Sequence, residues 1–261
     1  MTGPDLPAPL LAQLDGLDRR RDAAGESGCE IWRFGRSGPS VLFLKHARGR
    51  FVQDLVDEYE RLEWLSGRCP VPAVRGFVRE EDAAWLLTDA LPGRMAEDLF
   101  EEEPAARVAI TRALGVFLKD LHALPVDECP FDARLPLRLA AARRIIDAGL
   151  VDEDDFDPER AGWTADRVLH ELQQLSPLSL EAVVTHSDFS LGNLIIVEGK
   201  VSGCIDVGRL GVADPYQDLA ILWNCLRDYG PDLAGELWRA YGISAVDDAR
   251  LRAHLLLDEL F

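Results

Sequence analysis

Three polar residues, His186, Asp188 and Asn193, lie in the short segment VTHSDFSLGNLII, which is bounded on both sides by β-branched residues typical of buried strands. A short loop between two buried strands holds its side chains in defined positions. An aspartate in such a loop can accept a proton from a hydroxyl group, and an asparagine offers an amide oxygen that suits magnesium. The segment therefore indicates chemistry on a hydroxyl group close to a metal ion.

The spacing His-x-Asp-x-x-x-x-Asn is that of the protein-kinase catalytic loop, in which the Asp takes up the proton of the substrate hydroxyl and the Asn binds magnesium. A second carboxylate follows in those enzymes, and Asp206 in Ile205-Asp206-Val207-Gly208 supplies it on the next predicted strand. Two motifs in this order favour phosphoryl transfer. The alternative is that Asp188 and Asn193 are turn residues and His186 is a core histidine.

Upstream, the alternation of residues 41–45 places Phe43 and Lys45 on the same face of a predicted strand. An aromatic ring beside an ammonium group suits a nucleotide, because the ring can stack on the base while the cation binds phosphates. On the following predicted helix, Glu58 shares the apolar face with Leu55 and Leu62, where a carboxylate needs a partner. Lys45 is the expected partner, in the lysine–glutamate ion pair that kinases use.

A weaker signal precedes this strand, in the segment GESGCEI. Backbone N–H groups around Gly25, Ser27 and Gly28 could contact nucleotide phosphates. The segment is not a GxGxxG sequence, so this interpretation depends on the neighbouring motifs.

The elements that position these residues follow from the periodicity of the sequence. Strands are predicted over residues 28–34, 40–46, 73–78 and 83–90, with a helix from Val52 to Ser66 between them. Helices are predicted over residues 105–124, 135–148 and 164–175 and again from Tyr216 onwards, interrupted by short strands at VTHSD, NLIIVEG and VSGCIDV. The order predicts an α+β fold, with a β-rich lobe at 1–91 and a larger, mostly helical lobe at 92–261.

Composition excludes several classes of protein. The chain has 261 residues, 48% of them hydrophobic, which is enough for a substantial core. A net charge of −18 repels nucleic acid and favours cationic partners, although acidity can also serve solubility alone. Neither a signal peptide nor an apolar run of about 18 residues is found, so we expect a cytoplasmic protein without a membrane partner. Five cysteines without CxxC spacing predict reduced thiols.

Over nearly its whole length the sequence resembles the aminoglycoside 3'-phosphotransferases. The resemblance is carried by VTHSDFSLGN, CIDVGRLGVADPYQDLA, LHALPVDECPFD and the terminal LLLDELF, of which the last two are typical of the 3' group. One departure is Ser187, where the family more often has glycine.

The resemblance implies a protein-kinase-like bilobal fold, with nucleotide bound by residues 1–91 and aminoglycoside by residues 92–261. It implies transfer of the γ-phosphate of ATP, or of GTP, with Mg²⁺ to the 3'-hydroxyl of aminoglycosides such as kanamycin and neomycin, which confers resistance. We expect a monomer or a weak dimer.

Residue roles are carried over position by position from this resemblance. It implies that Asp188 is the catalytic base, that Asn193 and Asp206 bind magnesium, and that Lys45 and Glu58 orient the phosphates. Phe43 would stack on adenine, and the backbone from Thr88 to Ala90 would contact the base. Arg209 aligns with an arginine near the substrate, although it could equally brace the loop. His122 and Asp218 are expected to be structural.

The resemblance implies that two acidic clusters bind the ammonium groups of the drug: Asp258, Glu259 and the terminal carboxylate of Phe261, and the loop residues Asp154, Asp155 and Asp157. The first cluster crowds the negative end of a predicted helix, which disfavours anions by about 0.3–1 kcal/mol each. A bound polycation would offset that penalty. In the second cluster, Asp157 precedes Pro158 in the order of a helix N-cap, which is a structural reason for that residue alone.

Two other functions are compatible with the fold. A kinase for another small molecule, such as choline, a fructosamine or a macrolide, would leave LLLDELF unexplained. A binding protein without activity is disfavoured, because a protein of that kind usually lacks one of the reactive side chains, and here all are present: Lys45, Glu58, Asp188, Asn193 and Asp206.

Overall fold

The computed structural model describes residues 6–22, 28–35, 41–175 and 181–261. Gly25 and Ser27, of the predicted phosphate loop, lie outside the described residues. The chain divides into two compact units. The first consists of Met1–Gly93 with Ser202–Arg209, and the second of Arg94–Val201 with Leu210–Phe261.

The first unit is built on one antiparallel sheet. Its elements are α1 (Ala8–Leu14), β1 (Asp18–Asp22), β2 (Glu30–Gly35), β3 (Val41–Arg48), α2 (Val52–Leu65), β4 (Val74–Arg79) and β5 (Ala83–Asp89). The strand order is β1-β2-β3-β5-β4. Trp32 and Leu44 of the sheet form a buried core with Leu10 and Leu14 of α1. The apolar face of α2, which includes Leu55, is buried as the helical spacing predicts.

Two elements near the start of this unit were not predicted from the sequence. β1 reads DRRRD and has no alternation of apolar residues. It pairs only with β2 in the sheet order, so it is an edge strand, where charged side chains remain in solvent and discourage pairing with other chains. α1 has seven residues, too few for a clear helical period.

The second unit is mostly helical. Its elements are β6 (Arg94–Met95), α3 (Ala96–Glu102), α4 (Arg107–His122), α5 (Leu135–Asp147), α6 (Ala165–Gln174), β7 (Val183–Thr185), β8 (Leu194–Val197), β9 (Lys200–Cys204), β10 (Gly211–Ala213), α7 (Tyr216–Arg227), α8 (Pro231–Tyr241) and α9 (Asp248–Asp258). β6 pairs with β8 and β7 with β10, both antiparallel. β9 carries the chain back into the first unit.

The core of the second unit joins α6 to the end of the chain. Val168 and Leu172 of α6 are buried with Leu257 of α9 and with Leu260. Leu260 lies beyond the last turn of α9 and has no exposed surface, so the terminal residues are held against the unit by packing. In the part of the chain that the structure describes, no helix is long and apolar enough to cross a membrane.

Candidate functional site

A half-buried cation and two carboxylates form a cluster in the first unit. Lys45 of β3 donates to both carboxylate oxygens of Glu58, at 2.7 and 2.8 Å. It also donates to Asp206 Oδ1, in the segment between β9 and β10. The Lys45–Glu58 ion pair predicted from the buried face of α2 is confirmed, and Asp206 extends it to a triad.

Electrostatics fixes the charge of this lysine. Burial alone would lower the pKa of Lys45, but the neighbouring Glu58 and Asp206 carboxylates outweigh it and hold the pKa above its usual value. The ammonium group therefore stays protonated at physiological pH. A permanently charged donor that is held by two acids is suited to an anion such as a phosphate.

Asp206 is placed by an unusual backbone conformation. Its φ is +58°, in the left-handed region that costs a non-glycine residue of the order of 1 kcal/mol. A short 3-10 turn, Val207–Arg209, follows directly. Burial raises the pKa of Asp54 on α2, and the neighbouring Asp57 carboxylate raises it further. The positive charge of Arg209 opposes this shift without cancelling it.

Phe43 lies on β3 two residues before Lys45, and both are half-buried, while Leu44 between them is fully buried. Thr88 pairs with Phe43 across the β3–β5 ladder. In the segment Thr88 to Ala90, whose backbone is predicted to contact the base, the Ala90 N–H donates to the Val41 carbonyl oxygen at 2.9 Å. A base would therefore have to use other backbone groups of this segment.

In the second unit, the loop between β7 and β8 presents Asp188. Its neighbours Ser187 and Phe189 are buried, whereas Asp188 is half-buried. The Asp188 carbonyl oxygen accepts from the Ser190 N–H at 3.0 Å and from Asn193 Nδ2 at 2.9 Å. These two bonds close the loop, so the spacing of five residues between Asp188 and Asn193 has a direct structural cause.

Ser187 adopts the left-handed conformation, with φ of +67°. Glycine takes this conformation without steric cost, which is the physical reason to expect glycine here. The serine compensates with hydrogen bonds: its backbone N–H donates to Asp218 Oδ1 at 2.7 Å, and its hydroxyl lies 2.8 Å from Thr185 Oγ1. The departure from the family pattern is therefore accommodated.

Asp218, expected to be structural, anchors this loop through hydrogen bonds. It lies in the first turn of α7 with no exposed surface. Asp218 Oδ2 accepts from the His186 backbone N–H at 2.7 Å and lies 2.9 Å from His122 Nε2. His122 Nδ1 is in turn 2.8 Å from the Tyr241 hydroxyl. Asp218 therefore links the loop to His122 of α4 and, through it, to Tyr241 of α8.

Asn193, in the second unit, and Asp206, in the first, each carry an oxygen of the kind that Mg²⁺ binds. Because Asn193 Nδ2 is used by the Asp188 carbonyl, its amide oxygen is the group left for a metal, and Asp206 offers a carboxylate. Both are the hard oxygen ligands that Mg²⁺ prefers. Among the described residues, no three His, Cys, Asp or Glu side chains are grouped to hold a metal by themselves.

Of the predicted drug-binding acids, Asp157 and Glu259 lie together. Glu259 accepts from the Asp157 backbone N–H at 3.1 Å, and Arg160 donates to both side chains. Burial raises the pKa of Glu259, and Arg160 opposes that effect. Asp157 also accepts from Asn224 Nδ2 of α7, at 3.2 and 3.3 Å.

The order predicted around Asp157, an N-cap followed by an N1 proline and a first-turn acid, is found in the structure. A 3-10 turn does begin at Pro158, but the Asp157 side chain makes no capping hydrogen bond. The guanidinium of Arg160 and the amide of Asn224 bind its carboxylate instead. A charged donor is a stronger partner than a backbone N–H, so the carboxylate turns away from the turn that it precedes.

The remaining predicted acids occupy more open positions. Asp154 and Asp155 are exposed in a 3-10 turn, where the Asp154 N–H donates to Asp152 Oδ1 at 3.1 Å. Asp258 ends α9 and is half-buried. The ring of Phe261 packs on the apolar core of α6 and α9, and the Arg138 guanidinium lies 3.8 Å from its centroid.

Comparisons with known proteins agree with this geometry. The model of the phosphotransferase enzyme family matches residues 21–254. An aminoglycoside 3'-phosphotransferase of Escherichia coli is 49% identical over 98% of this chain and 95% of its own length. One of Salmonella typhimurium is 47% identical over 99% and 96%. The chain belongs to the aminoglycoside 3'-phosphotransferase family.

Solved structures of aminoglycoside phosphotransferases share its fold. An aminoglycoside-3'-phosphotransferase of type VIII has a TM-score of 0.85 at 34% identity, with 97% of both chains covered. APH(3'')-Id from Streptomyces rimosus ATCC10970, in complex with ADP and streptomycin, has a TM-score of 0.80 at 29% identity, covering 97% of this chain and 96% of that chain. The protein-kinase-like α+β fold expected from the sequence is confirmed, and the chain is a phosphotransferase of this family.

Proposed function

We propose that the protein transfers the γ-phosphate of ATP to the 3'-hydroxyl group of aminoglycosides such as kanamycin and neomycin, and so confers resistance to them. The observation that carries the proposal is the Asp188–Asn193 loop, anchored by the buried Asp218, in a chain 49% identical to an aminoglycoside 3'-phosphotransferase. GTP is the alternative phosphate donor, and the cytoplasm is the expected location.

Asp188 is the proposed base. As the 3'-oxygen forms its bond to the γ-phosphorus, the bond from that phosphorus to the bridging oxygen breaks and ADP leaves. The hydroxyl proton passes to the Asp188 carboxylate. The half-buried position of Asp188 between buried neighbours supports this role, because the loop fixes the backbone while leaving the carboxylate accessible.

Lys45 and Glu58 are proposed to orient the α- and β-phosphates, and Phe43 to stack on the base. Magnesium, held by Asn193 and Asp206, would neutralise charge that develops on the phosphates. The half-buried ion pair supports the phosphate-binding role, since Glu58 holds the Lys45 ammonium in one orientation. Ser27, Thr88 and Ala90 complete the proposed nucleotide contacts.

The drug is proposed to bind through its ammonium groups to the acidic residues near the end of the chain: Asp154, Asp155, Asp157, Asp258, Glu259 and the Phe261 carboxylate, with Arg209 near the acceptor. Support comes from the proximity of Asp157 and Glu259, which are 102 residues apart in sequence. A net charge of −18 also attracts polycations over a distance of about a Debye length.

The position of the transferred phosphate tests this function. Kanamycin, ATP, magnesium and the protein are incubated together, and the product is analysed by mass spectrometry and ³¹P and ¹H NMR. We expect a monophosphate at the 3'-oxygen. Tobramycin, which lacks the 3'-hydroxyl, serves as the matched control, and we expect it to inhibit kanamycin phosphorylation competitively without being phosphorylated there.

A kanamycin product modified at another hydroxyl, or efficient phosphorylation of tobramycin, contradicts the 3' assignment. If no aminoglycoside is phosphorylated, the substrate class itself is wrong. ATP and GTP compared under the same conditions identify the phosphate donor.

A further inference from the structure

Asp157, a proposed contact for a drug ammonium group, is already surrounded by cationic and amide groups of this chain. Besides Arg160 and Asn224, it is met by Arg227 at the end of α7, whose Nη2 lies 3.3 Å from Asp157 Oδ1. Two guanidinium groups therefore share one carboxylate. A polycationic substrate that binds Asp157 must compete with them.

The two arginines differ in how firmly they are held. Arg160 has 10% of its side chain exposed and bridges Asp157 to Glu259, which ties the 3-10 turn at Pro158 to the end of α9. Arg227 has 23% of its side chain exposed. Its shorter contacts are with Glu159, a bidentate pair at 2.9 and 3.1 Å. Arg160 therefore holds two segments of the second unit together, whereas Arg227 is a more exposed residue at the edge of the cluster.

Glu159 offers Arg227 a second partner that is independent of Asp157. The Glu159 side chain is 59% exposed, so it can follow the guanidinium into solvent. If Arg227 moves away from Asp157 together with Glu159, it gives up the 3.3 Å contact with Asp157 and its position 5.7 Å from the centroid of the Trp223 ring. It keeps the two shorter contacts with Glu159. Moving Arg227 away from Asp157 therefore costs less free energy than breaking the buried ion pairs of Arg160.

The net charge of the side chains around Asp157 affects how strongly they attract a cation. Asp157, Glu159 and Glu259 contribute three negative charges, and Arg160 and Arg227 contribute two positive charges, so the group as a whole carries −1 at neutral pH. Replacing Arg227 by a neutral side chain doubles the net negative charge. A drug ammonium group would then meet a less compensated carboxylate.

We propose that Arg227 is a displaceable counter-ion of Asp157, which occupies the position of a drug ammonium group in the absence of substrate and pairs with Glu159 alone when the drug binds. The proposal rests on the proposed function, because it takes Asp157 as a drug contact. Arg227 then sets the affinity for aminoglycosides by competing with them, and it contributes no attractive contact of its own.

Substitutions that remove the charge test the competition. In Arg227→Met and Arg227→Gln, we expect the KM and the Kd for kanamycin to fall by about two- to five-fold, the range that a partly exposed ion pair is worth. In Arg227→Lys, which keeps the charge, both values should stay near those of the parent. A structural brace would give unchanged or higher values in all three variants, and a direct drug contact would give higher values.

Arg252→Met is the matched control for net charge. Arg252 lies on α9 and pairs with Glu171 at 3.1 Å, and 57% of its side chain is exposed. Its substitution changes the total charge by the same unit, but we expect a kanamycin KM within about 1.5-fold of the parent because solvent and salt screen distant charges. Thermal unfolding followed by circular dichroism verifies that each variant is folded.

Kd for kanamycin is measured by calorimetry at low and high salt, and the advantage of Arg227→Met over the parent should shrink as salt rises. The proposal is overturned if Arg227→Met and Arg227→Gln bind kanamycin no more tightly than the parent. It is also overturned if Arg252→Met binds kanamycin as tightly as Arg227→Met does. If the parent neither binds nor phosphorylates aminoglycosides, both the proposed function and this inference are refuted. If the parent phosphorylates them and the Arg227 variants have an unchanged KM, only this inference is refuted.

Discussion

Asp188 lies between two buried residues, Ser187 and Phe189, while its own side chain is half-buried. Substitution by asparagine keeps the size of the side chain and removes the proton acceptor. We expect Asp188→Asn to lower kcat by about 10²- to 10⁴-fold, the contribution typical of general-base catalysis, with little change in the KM for ATP. Steady-state kinetics measures both. A variant with parental kcat would show that the proton is accepted elsewhere.

Asp206 and Glu58 both bind Lys45, but only Asp206 is a proposed magnesium ligand. Asp206→Asn should raise the magnesium concentration needed for half-maximal activity and also lower kcat. Glu58→Gln serves as the control, since it removes the other carboxylate on the same ammonium group and should lower activity without changing the magnesium dependence. Superimposable magnesium titrations of Asp206→Asn and the parent would place the metal elsewhere.

At this scale, sequence revealed the residues whose partners are set by a local pattern. Glu58 was found because it shares the apolar face of its helix, and Asp188 and Asn193 because their spacing is that of the protein-kinase catalytic loop. Arg160 and Arg227 were missed. Arg160 contacts Glu259 across 99 residues and Arg227 contacts Glu159 across 68, and no local spacing records such a contact.

Among the elements, α7 positions the β7–β8 loop through Asp218. An Asp218→Asn substitution removes a buried charge and leaves one of the loop N–H groups, or His122, without an acceptor. We expect a loss of about 2–3 kcal/mol of unfolding free energy together with a lower kcat, because the loop loses its anchor. Chemical denaturation and kinetics measure the two effects. Tyr241→Phe is the matched control, since it removes only the outer hydrogen bond to His122 and should cost about 1 kcal/mol.

The end of α9 carries Asp258, Glu259 and the terminal Phe261 carboxylate. A C-terminal tag should raise the KM for kanamycin more than the KM for ATP, because it displaces the terminal anion while Leu260 keeps the helix packed. An N-terminal tag of the same sequence is the control. Equal KM values for kanamycin in the two tagged proteins would mean that the terminus serves packing alone. The sequence could indicate this cluster because helix-end anions are unfavourable, but it could not show that Arg160 already neutralises part of it.

For the whole molecule, a buried histidine makes stability depend on pH. Burial lowers the pKa of His254 to about 4 from its ordinary 6.5; Asp214 and Asp218 oppose the shift, and Arg250 and Arg138 reinforce it. Between these pH values the unfolded chain binds a proton that the folded protein does not. The free energy of unfolding should therefore fall as pH drops from 6.5 to 4, by up to about 3 kcal/mol from this residue.

Urea denaturation at a series of pH values measures this dependence. His254→Gln should flatten the curve between pH 6.5 and 4 relative to the parent. His170 on α6 is exposed, so His170→Gln is the control and should leave the curve unchanged. A parental slope in His254→Gln would assign the loss of stability to the carboxylates instead.

The segment Ser202–Arg209 belongs to the first unit although most of the second unit precedes it in the chain. During synthesis, the sheet of the first unit leaves the ribosome early, but Asp206 emerges more than a hundred residues after Lys45 and Glu58. Lys45 and Glu58 therefore lack Asp206 until helices α3 to α6 have been synthesised. A fragment ending at Gly93 would contain the sheet and an incomplete charge cluster, so the complete first unit cannot be obtained by a single cut in the gene.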